Sequence, residues 1–165
     1  MWSLGLLLYL YFNLLSLVNS LMYQDCSLQT ESPYLSLLYY AHDPDPYTAT
    51  ENRTIEKTFR YSGLAALTSL HETVDIDKST LPPWDENFEG WTPHFSNSFG
   101  ICGSSGDSHA ELCPIEPGST ITYVDNHSPS SQNLDQWYRA NEKFYDSEKK
   151  YIGCVTVVYQ VTTKR

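Results

Sequence analysis

YIGCVTVV, residues 151–158, is the stretch that decides the fold. From Cys154 onward, apolar residues alternate with polar or smaller ones, which is typical of a strand with one face toward a core. The alternation continues to residue 161 and sets Val155, Val157, Tyr159 and Val161 on one side. The chain therefore has an amphipathic final strand with a cysteine at its edge.

The four cysteines form an even set that favours disulfides. Four cysteines allow three pairings. Cys102 and Cys113 enclose a short turn rich in glycine and serine, so their pairing closes a hairpin and leaves Cys26 for Cys154. A zinc site is the alternative, but the chain has no CxxC pair, and a secreted chain favours oxidation. We expect two disulfides and no metal.

Residues 1–20 carry no charged side chain and are rich in leucine and tyrosine, with small residues at Val18 and Ser20. This pattern predicts a signal peptide. A signal anchor is the alternative, because the apolar stretch is almost long enough to span a bilayer. Polar residues such as Asn13 and Ser16 interrupt its second half and favour cleavage. The expected mature domain is 21–165, in the secreted or endosomal and lysosomal compartments.

The charge balance excludes one class of partner. Twenty acidic residues against ten basic ones give a net charge of −10. Such a surface repels phosphates, so no nucleic-acid partner is expected.

Short alternating runs separated by turn residues predict an all-β domain. Proline ends the first run, because it cannot donate a hydrogen bond to a neighbouring strand. No segment shows sustained helical periodicity. The spacing of the runs favours an immunoglobulin-like sandwich of two sheets and about seven strands. The predicted strands lie at Leu35–Ala41, Thr54–Tyr61, within Leu64–Asp77, at Ser119–Val124, around Tyr138–Phe144 and at the C-terminus.

Residues 78–100 are unusually aromatic for a segment rich in Pro, Asn, Ser and Gly. We predict a long loop, or a loop with one short strand. Its aromatic residues line the mouth of a pocket, touch a membrane, or cover a sheet edge. Those that matter most are Trp84, Trp91, Phe95 and Phe99.

Five landmarks, in this order and spacing, resemble the ML lipid-recognition family, which includes the small Niemann-Pick type C sterol carrier and phosphatidylglycerol/phosphatidylinositol transfer proteins. The resemblance covers Cys26 to about Val161. A further disulfide found in some members has no counterpart here. The landmarks are Asp25-Cys26, DPDP at 43–46, GIC at 100–102, CPI at 113–115 with Gly118, and IGC at 152–154.

The resemblance implies a sandwich whose sheets splay apart to hold a sterol or phospholipid. It implies a monomeric lipid carrier without cofactor, which touches membranes transiently and meets a receptor. The alternative is an immunoglobulin-like interaction module with a closed core. For the candidates on predicted strands, core packing is the alternative explanation. The expected lipid-binding residues are Phe59, Tyr61, Leu67, Trp91, Phe95, Phe99, Ile115, Tyr123, Tyr138, Phe144, Val155 and Val157.

Three cations are candidate partners for a lipid headgroup: Lys57, Arg139 and Lys143. An ordinary solvated face explains each of them as well. Asn52 and Asn126 each begin an acceptor sequence for N-glycosylation, although a proline follows the second one.

Serine, aspartate and histidine occur together in GSSGDSH at 103–109. The members of a catalytic triad normally come from separate elements, and turn chemistry explains these residues. We expect no catalytic residue and no enzymatic activity.

Overall fold

The computed structural model describes residues 22–26, 34–45, 47–83, 89–128 and 136–162. The expected signal peptide and Trp84 lie outside these ranges. The described chain forms strands and one short 3₁₀ turn, Ala110–Leu112. The strands are β1 (Met22–Asp25), β2 (Leu35–Asp43), β3 (Tyr47–Thr48), β4 (Arg53–Tyr61), β5 (Leu70–Ser79), β6 (Thr92–Cys102), β7 (Thr120–His127), β8 (Gln136–Tyr145) and β9 (Tyr151–Thr162).

The strands form two sheets that pack face to face. The larger sheet has the order β1-β9-β8-β5-β6, with the two-residue β3 added alongside β9 in parallel. The smaller sheet has the order β2-β4-β7 and is antiparallel throughout. Strands β6 and β7 are therefore edges of their sheets, and this arrangement matters for the site described below.

The predicted sandwich is confirmed, with nine described strands against the expected seven or so. The additional strands are short: β1 and β3 both pair with β9. The alternation on β9 is as predicted, because Val155, Val157, Tyr159 and Val161 are all buried. Within the described residues, no helix is long and apolar enough to cross a membrane.

Both predicted disulfides are present. Cys26 is bonded to Cys154, and Cys102 is bonded to Cys113. The alternative of a zinc site on these cysteines is therefore wrong. The first bond ties the start of the domain to the last strand, while the second closes the turn after β6.

The prediction of a long loop over residues 78–100 is wrong for its second half. Residues 92–102 form β6, which pairs with β5 over nearly its whole length. Two serines of β6 form side-chain hydrogen bonds with β5. Ser96 donates to Asp75, and Ser98 shares a hydrogen bond with Thr73. Phenylalanine and asparagine alternate with serine here, but the exposure of both faces hid the strand pattern.

One half of the sandwich is solidly packed. Phe59 of β4 meets Phe144 of β8 edge to face, with ring centroids 4.9 Å apart, and stacks against Tyr123 of β7 at 6.1 Å. Leu70 and Ile152 are also fully buried in this half. The absence of a side chain at Gly153 allows β9 to approach β2 closely, since a Cβ there would lie 2.5 Å from the Leu35 carbonyl oxygen.

Candidate lipid-binding site

The other half of the sandwich is open and contains a cavity of about 420 Å³. Its volume lies within the range of ligand pockets in proteins. Phe95 and Phe99 of β6 line it although they are 51% and 40% exposed, and His127 of the opposing β7 edge is also exposed. The mouth therefore lies between the β6 and β7 edges of the two sheets.

The cavity wall combines apolar and polar side chains. Ile55, Val74, Ile76, Ile101 and Ala140 form the apolar surface behind the two phenylalanines. The polar members come from both sheets and from the loop after β6. They are Tyr40, His42, Arg53, Lys57, Glu72, Asn97, Ser108, Asp125, His127, Glu142 and Tyr159.

A layer of charged side chains forms the floor of the cavity, and strand periodicity explains its position. On β4, Lys57 lies between Ile55 toward the mouth and Phe59 in the packed core. Side chains on one face of a strand recur every second residue. On the facing sheet, a charged residue likewise lies between cavity-lining and core residues. Glu72 separates the cavity from the core on β5, and Glu142 does so on β8.

Lys57 is the centre of this floor. Its Nζ lies 2.8 Å from Glu72 Oε1 and 2.9 Å from Glu142 Oε2, with Asp125 Oδ2 at 3.8 Å. The Tyr40 hydroxyl donates to Glu142 Oε1 at 2.9 Å. Lys57, Glu72 and Glu142 are only 3%, 1% and 3% exposed. The alternative of a solvated face for Lys57 is therefore wrong.

Burial shifts the protonation of the floor. It acts to lower the pKa of Lys57, but the carboxylates of Glu142 and Glu72 outweigh it and hold that pKa well above its usual value. Burial raises the pKa of Glu72 to about 8; the Lys57 ammonium opposes this rise and the Glu142 carboxylate adds to it. One ammonium thus faces two carboxyls, of which Glu72 holds a proton at neutral pH.

The side wall extends this network toward the mouth. The His42 ring nitrogen Nε2 lies 3.4 Å from the Tyr40 hydroxyl. Burial, reinforced by the charges of Arg53 and Lys57, lowers the pKa of His42 to about 3, so its imidazole is neutral. The Arg53 guanidinium lies over the Tyr159 ring, 5.1 Å from its centroid.

The protonation of Glu72 predicts how stability depends on pH. The folded state keeps a proton that an unfolded glutamate loses near pH 4.5, so this contribution is complete below that pH and is lost as pH rises through about 8. His42 acts in the opposite sense, and only below about pH 6.5, the ordinary pKa of histidine. Between pH 6.5 and 8, the free energy of unfolding should therefore fall, by up to about 1.4 kcal/mol per pH unit from this one proton.

Urea denaturation across this pH window measures the effect, and Glu72→Gln should flatten the curve. Glu116→Gln, at an exposed turn position, is the matched control and should leave the slope as in the wild type. A Glu72→Gln protein with the wild-type slope would show that Glu72 titrates normally in the folded state.

The structure brings together only some of the residues expected to bind lipid. Phe95 and Phe99 line the cavity at its mouth. Trp91 instead lies on the outer side of the larger sheet, with the Arg139 guanidinium 5.0 Å from its ring centroid. Ile115 is buried and forms an isolated bridge with Leu67.

The remaining candidates belong to the hydrophobic core. One of them, Tyr138, stacks on Tyr159, which lines the cavity. All of them are buried and are not among the residues that line the cavity, and their contact with lipid stays a prediction. The others are Phe59, Tyr61, Leu67, Ile115, Tyr123, Phe144, Val155 and Val157.

Sequence reasoning missed the charged floor. Arg139 and Lys143, the other headgroup candidates, pair with Asp77 and Asp75 outside the cavity lining. The available signal was a charged residue at an inward position of an otherwise apolar strand face, as in Ile55-Lys57-Phe59.

The loop after β6 uses its polar residues in turn formation. Asp107 Oδ2 accepts a hydrogen bond from the Ser104 backbone at 2.8 Å. His109 Nε2 lies 3.0 Å from Asp125 Oδ1, on the next strand. The aspartate and histidine of this loop thus have different partners. Turn chemistry accounts for Asp107, whereas His109 pairs with a residue of β7. Asn52 and Asn126 are both exposed, and their glycosylation stays a prediction.

No family model and no curated protein matches the chain. Solved structures do match. Chicken MD-1 complexed with lipid IVa has a TM-score of 0.57 and 14% identity, over 85% of this chain and 88% of that one. The Niemann-Pick type C2 protein of the Japanese carpenter ant has a TM-score of 0.57 and 11% identity, over 86% of this chain and 99% of that one.

The chain has an ML-like fold. The C-terminal domain of wzt, another similar structure, has a TM-score of 0.52 and 7% identity, over 88% of this chain and 80% of that one. At such identities the similarity concerns the fold alone. The side chains that line the cavity therefore decide what it can bind.

Proposed function

We propose that this protein binds a single lipid between its sheets and transfers it between membranes in the secretory or endolysosomal lumen. The observation that carries the proposal is the cavity of about 420 Å³ with an apolar wall, open between two strand edges. A sandwich that served only as an interaction module needs no such space. The ML-like fold and the two disulfides also support the proposal.

Binding needs no covalent step. Removing an acyl chain or a sterol skeleton from water contributes roughly 25 cal/mol per Å² of apolar surface. A cavity of this size suits one sterol or one acyl chain, so a phospholipid leaves its second chain or its headgroup at the mouth. Sterol and phospholipid are the proposed cargo classes, and the membrane is a transient partner of the monomer. A receptor stays a prediction from the family resemblance.

The two exposed phenylalanines at the mouth are the proposed contact with the membrane. Phe95 and Phe99 are four residues apart on an edge strand and lie on the same face of it. Both line the cavity and are exposed at the surface. A lipid that leaves a bilayer between these rings exposes less apolar surface to water at every stage.

Phe95→Ala/Phe99→Ala should slow lipid transfer between vesicles by about tenfold or more, because each truncation removes roughly 1.5–3 kcal/mol of apolar contact. Fluorescent sterol and phospholipid transfer between anionic vesicles is the measurement. Leu38→Ala/Tyr39→Ala is the matched control, since both side chains are exposed and lie on β2, outside the cavity lining. Equal transfer by the two folded variants would contradict the portal.

Native mass spectrometry of the purified protein tests the function itself. A bound lipid mass that organic extraction removes is the expected result. A protein that purifies without lipid and takes up neither sterol nor phospholipid from vesicles would favour the closed interaction module.

A further inference from the structure

The charged floor places an ionic cluster where a lipid carrier is expected to have an apolar end. Lys57 uses its charge on Glu72 Oε1 and Glu142 Oε2, at 2.8 and 2.9 Å. The second oxygen of Glu72, Oε2, is buried and has no donor among the described residues while Glu72 is ionised; when Glu72 holds its proton, its carboxyl shares a hydrogen bond with Glu142. Because Glu72 lines the cavity, its ionised carboxyl offers an unused acceptor at the floor of the ligand space.

The charge balance of the floor favours one kind of ligand. Three carboxyls, those of Glu72, Glu142 and Asp125, lie within 4 Å of a single ammonium group. An anionic ligand group at this depth meets carboxyl oxygens and a lysine that is already paired. A cationic group with hydrogen to donate meets an acceptor. It also offsets the net negative charge that the cavity carries when Glu72 is ionised, three carboxylates against the cations of Lys57 and Arg53.

We infer that the cavity takes a single-chain amphiphile with an amine group, inserted head first so that its ammonium binds the Glu72 carboxylate beside Lys57. The inference rests on the proposed lipid-binding function and adds a third class of cargo to sterol and phospholipid. The apolar chain then lies along Ile55, Val74 and Ile76 and leaves between Phe95 and Phe99. This orientation leaves the tail at the mouth.

The neighbours of Glu72 define how pH acts on this binding. The ammonium displaces the proton that Glu72 holds, while an alkyl ammonium keeps its own charge up to about pH 10. Binding should therefore tighten as pH rises from 5 to 8, by at most about tenfold per pH unit. The titratable groups that interact with Glu72 are Tyr40 on β2, Lys57 on β4, Tyr123 on β7 and Glu142 on β8. The other titratable or charged groups of the same cavity are His42, Arg53, Asp125 and His127.

The test is the affinity of the delipidated full mature protein for dodecylamine, dodecanol and dodecanoic acid, measured by calorimetry below their micellar concentrations at pH 5 and pH 8. At pH 8 the amine should bind roughly tenfold more tightly than the alcohol, because a charge-assisted hydrogen bond is stronger than a neutral one. The ratio should shrink at pH 5. Glu72→Gln should bring it near one at both pH values, whereas Glu116→Gln should keep the wild-type ratio.

The outcomes separate this inference from the proposed function. Alcohol or acid binding that equals or exceeds amine binding at pH 8 would overturn the amine assignment and leave a lipid carrier. Binding of none of the three dodecyl probes, together with no lipid uptake from vesicles, would overturn the lipid cavity itself. If Glu72→Gln unfolds, Glu72→Asp serves instead; it retains the charge but shortens the reach, and should lower the amine preference without abolishing its pH dependence.

Discussion

Replacing Lys57 by methionine should destabilise the domain by about 3–5 kcal/mol at pH 7.5. The substitution keeps the apolar stem but removes the only ammonium that contacts Glu72 and Glu142 in the described structure. Both carboxyls are almost fully buried, so water cannot replace the lost partner. Since typical domains are stable by roughly 5–15 kcal/mol, such a loss is a large fraction of the total. Urea denaturation measures it.

Two further variants identify the cause. Lys143→Met removes a lysine whose pair with Asp75 is exposed to solvent, and should cost at most about 1 kcal/mol. Lys57→Met/Glu72→Leu/Glu142→Leu replaces all three charges and should recover most of the loss, because an apolar cluster has no charge to desolvate. A Lys57→Met protein as stable as Lys143→Met would show that water reaches the floor.

Strand alternation made the sandwich predictable from sequence. In β4 the inward residues are Ile55, Lys57, Phe59 and Tyr61, every second residue of the predicted strand Thr54–Tyr61. The final strand β9 was equally clear, because it pairs with three strands, β1, β3 and β8, and its inner face is wholly buried. The disulfides followed from cysteine spacing. These features depend on local order along the chain.

The site was less predictable because it depends on which inward residues meet across the sheets. Lys57 and Glu142 are 85 positions apart in numbering, and only the packing of β4 on β8 brings their side chains together. An inward lysine on an isolated strand is indistinguishable from one at a solvated edge. The partners that make its burial tolerable come from the other sheet.

Strand β6 shows a different limit. Its residues from Thr92 to Phe99 are exposed on both faces, because one face borders the open mouth and the other is solvent. Hydrophobic periodicity reports burial, so a strand exposed on both sides has little of it. The same openness that makes this edge a candidate portal made it resemble a loop.

The disulfide between Cys26 and Cys154 should contribute more stability than the one between Cys102 and Cys113. The two bonds span 128 and 11 positions of the chain. Under the chain-entropy model they contribute about 5 and 3 kcal/mol respectively, because the longer loop restricts the unfolded chain more. Urea denaturation of Cys26→Ser/Cys154→Ser and Cys102→Ser/Cys113→Ser measures both.

The location of the long bond adds a structural reason for the larger loss. It anchors β1, a four-residue strand that pairs only with β9. The carboxylate of Asp25 also accepts a hydrogen bond from the Leu37 backbone of β2, at 2.9 Å, and so joins the two sheets on the side away from the mouth. Loss of the bond should therefore free β1 and speed amide hydrogen exchange along β2 and β9, whereas loss of the short bond should affect the turn after β6. A larger loss of unfolding free energy in Cys102→Ser/Cys113→Ser than in Cys26→Ser/Cys154→Ser would contradict this prediction. It would show that the turn after β6, rather than the attachment of β1, limits unfolding.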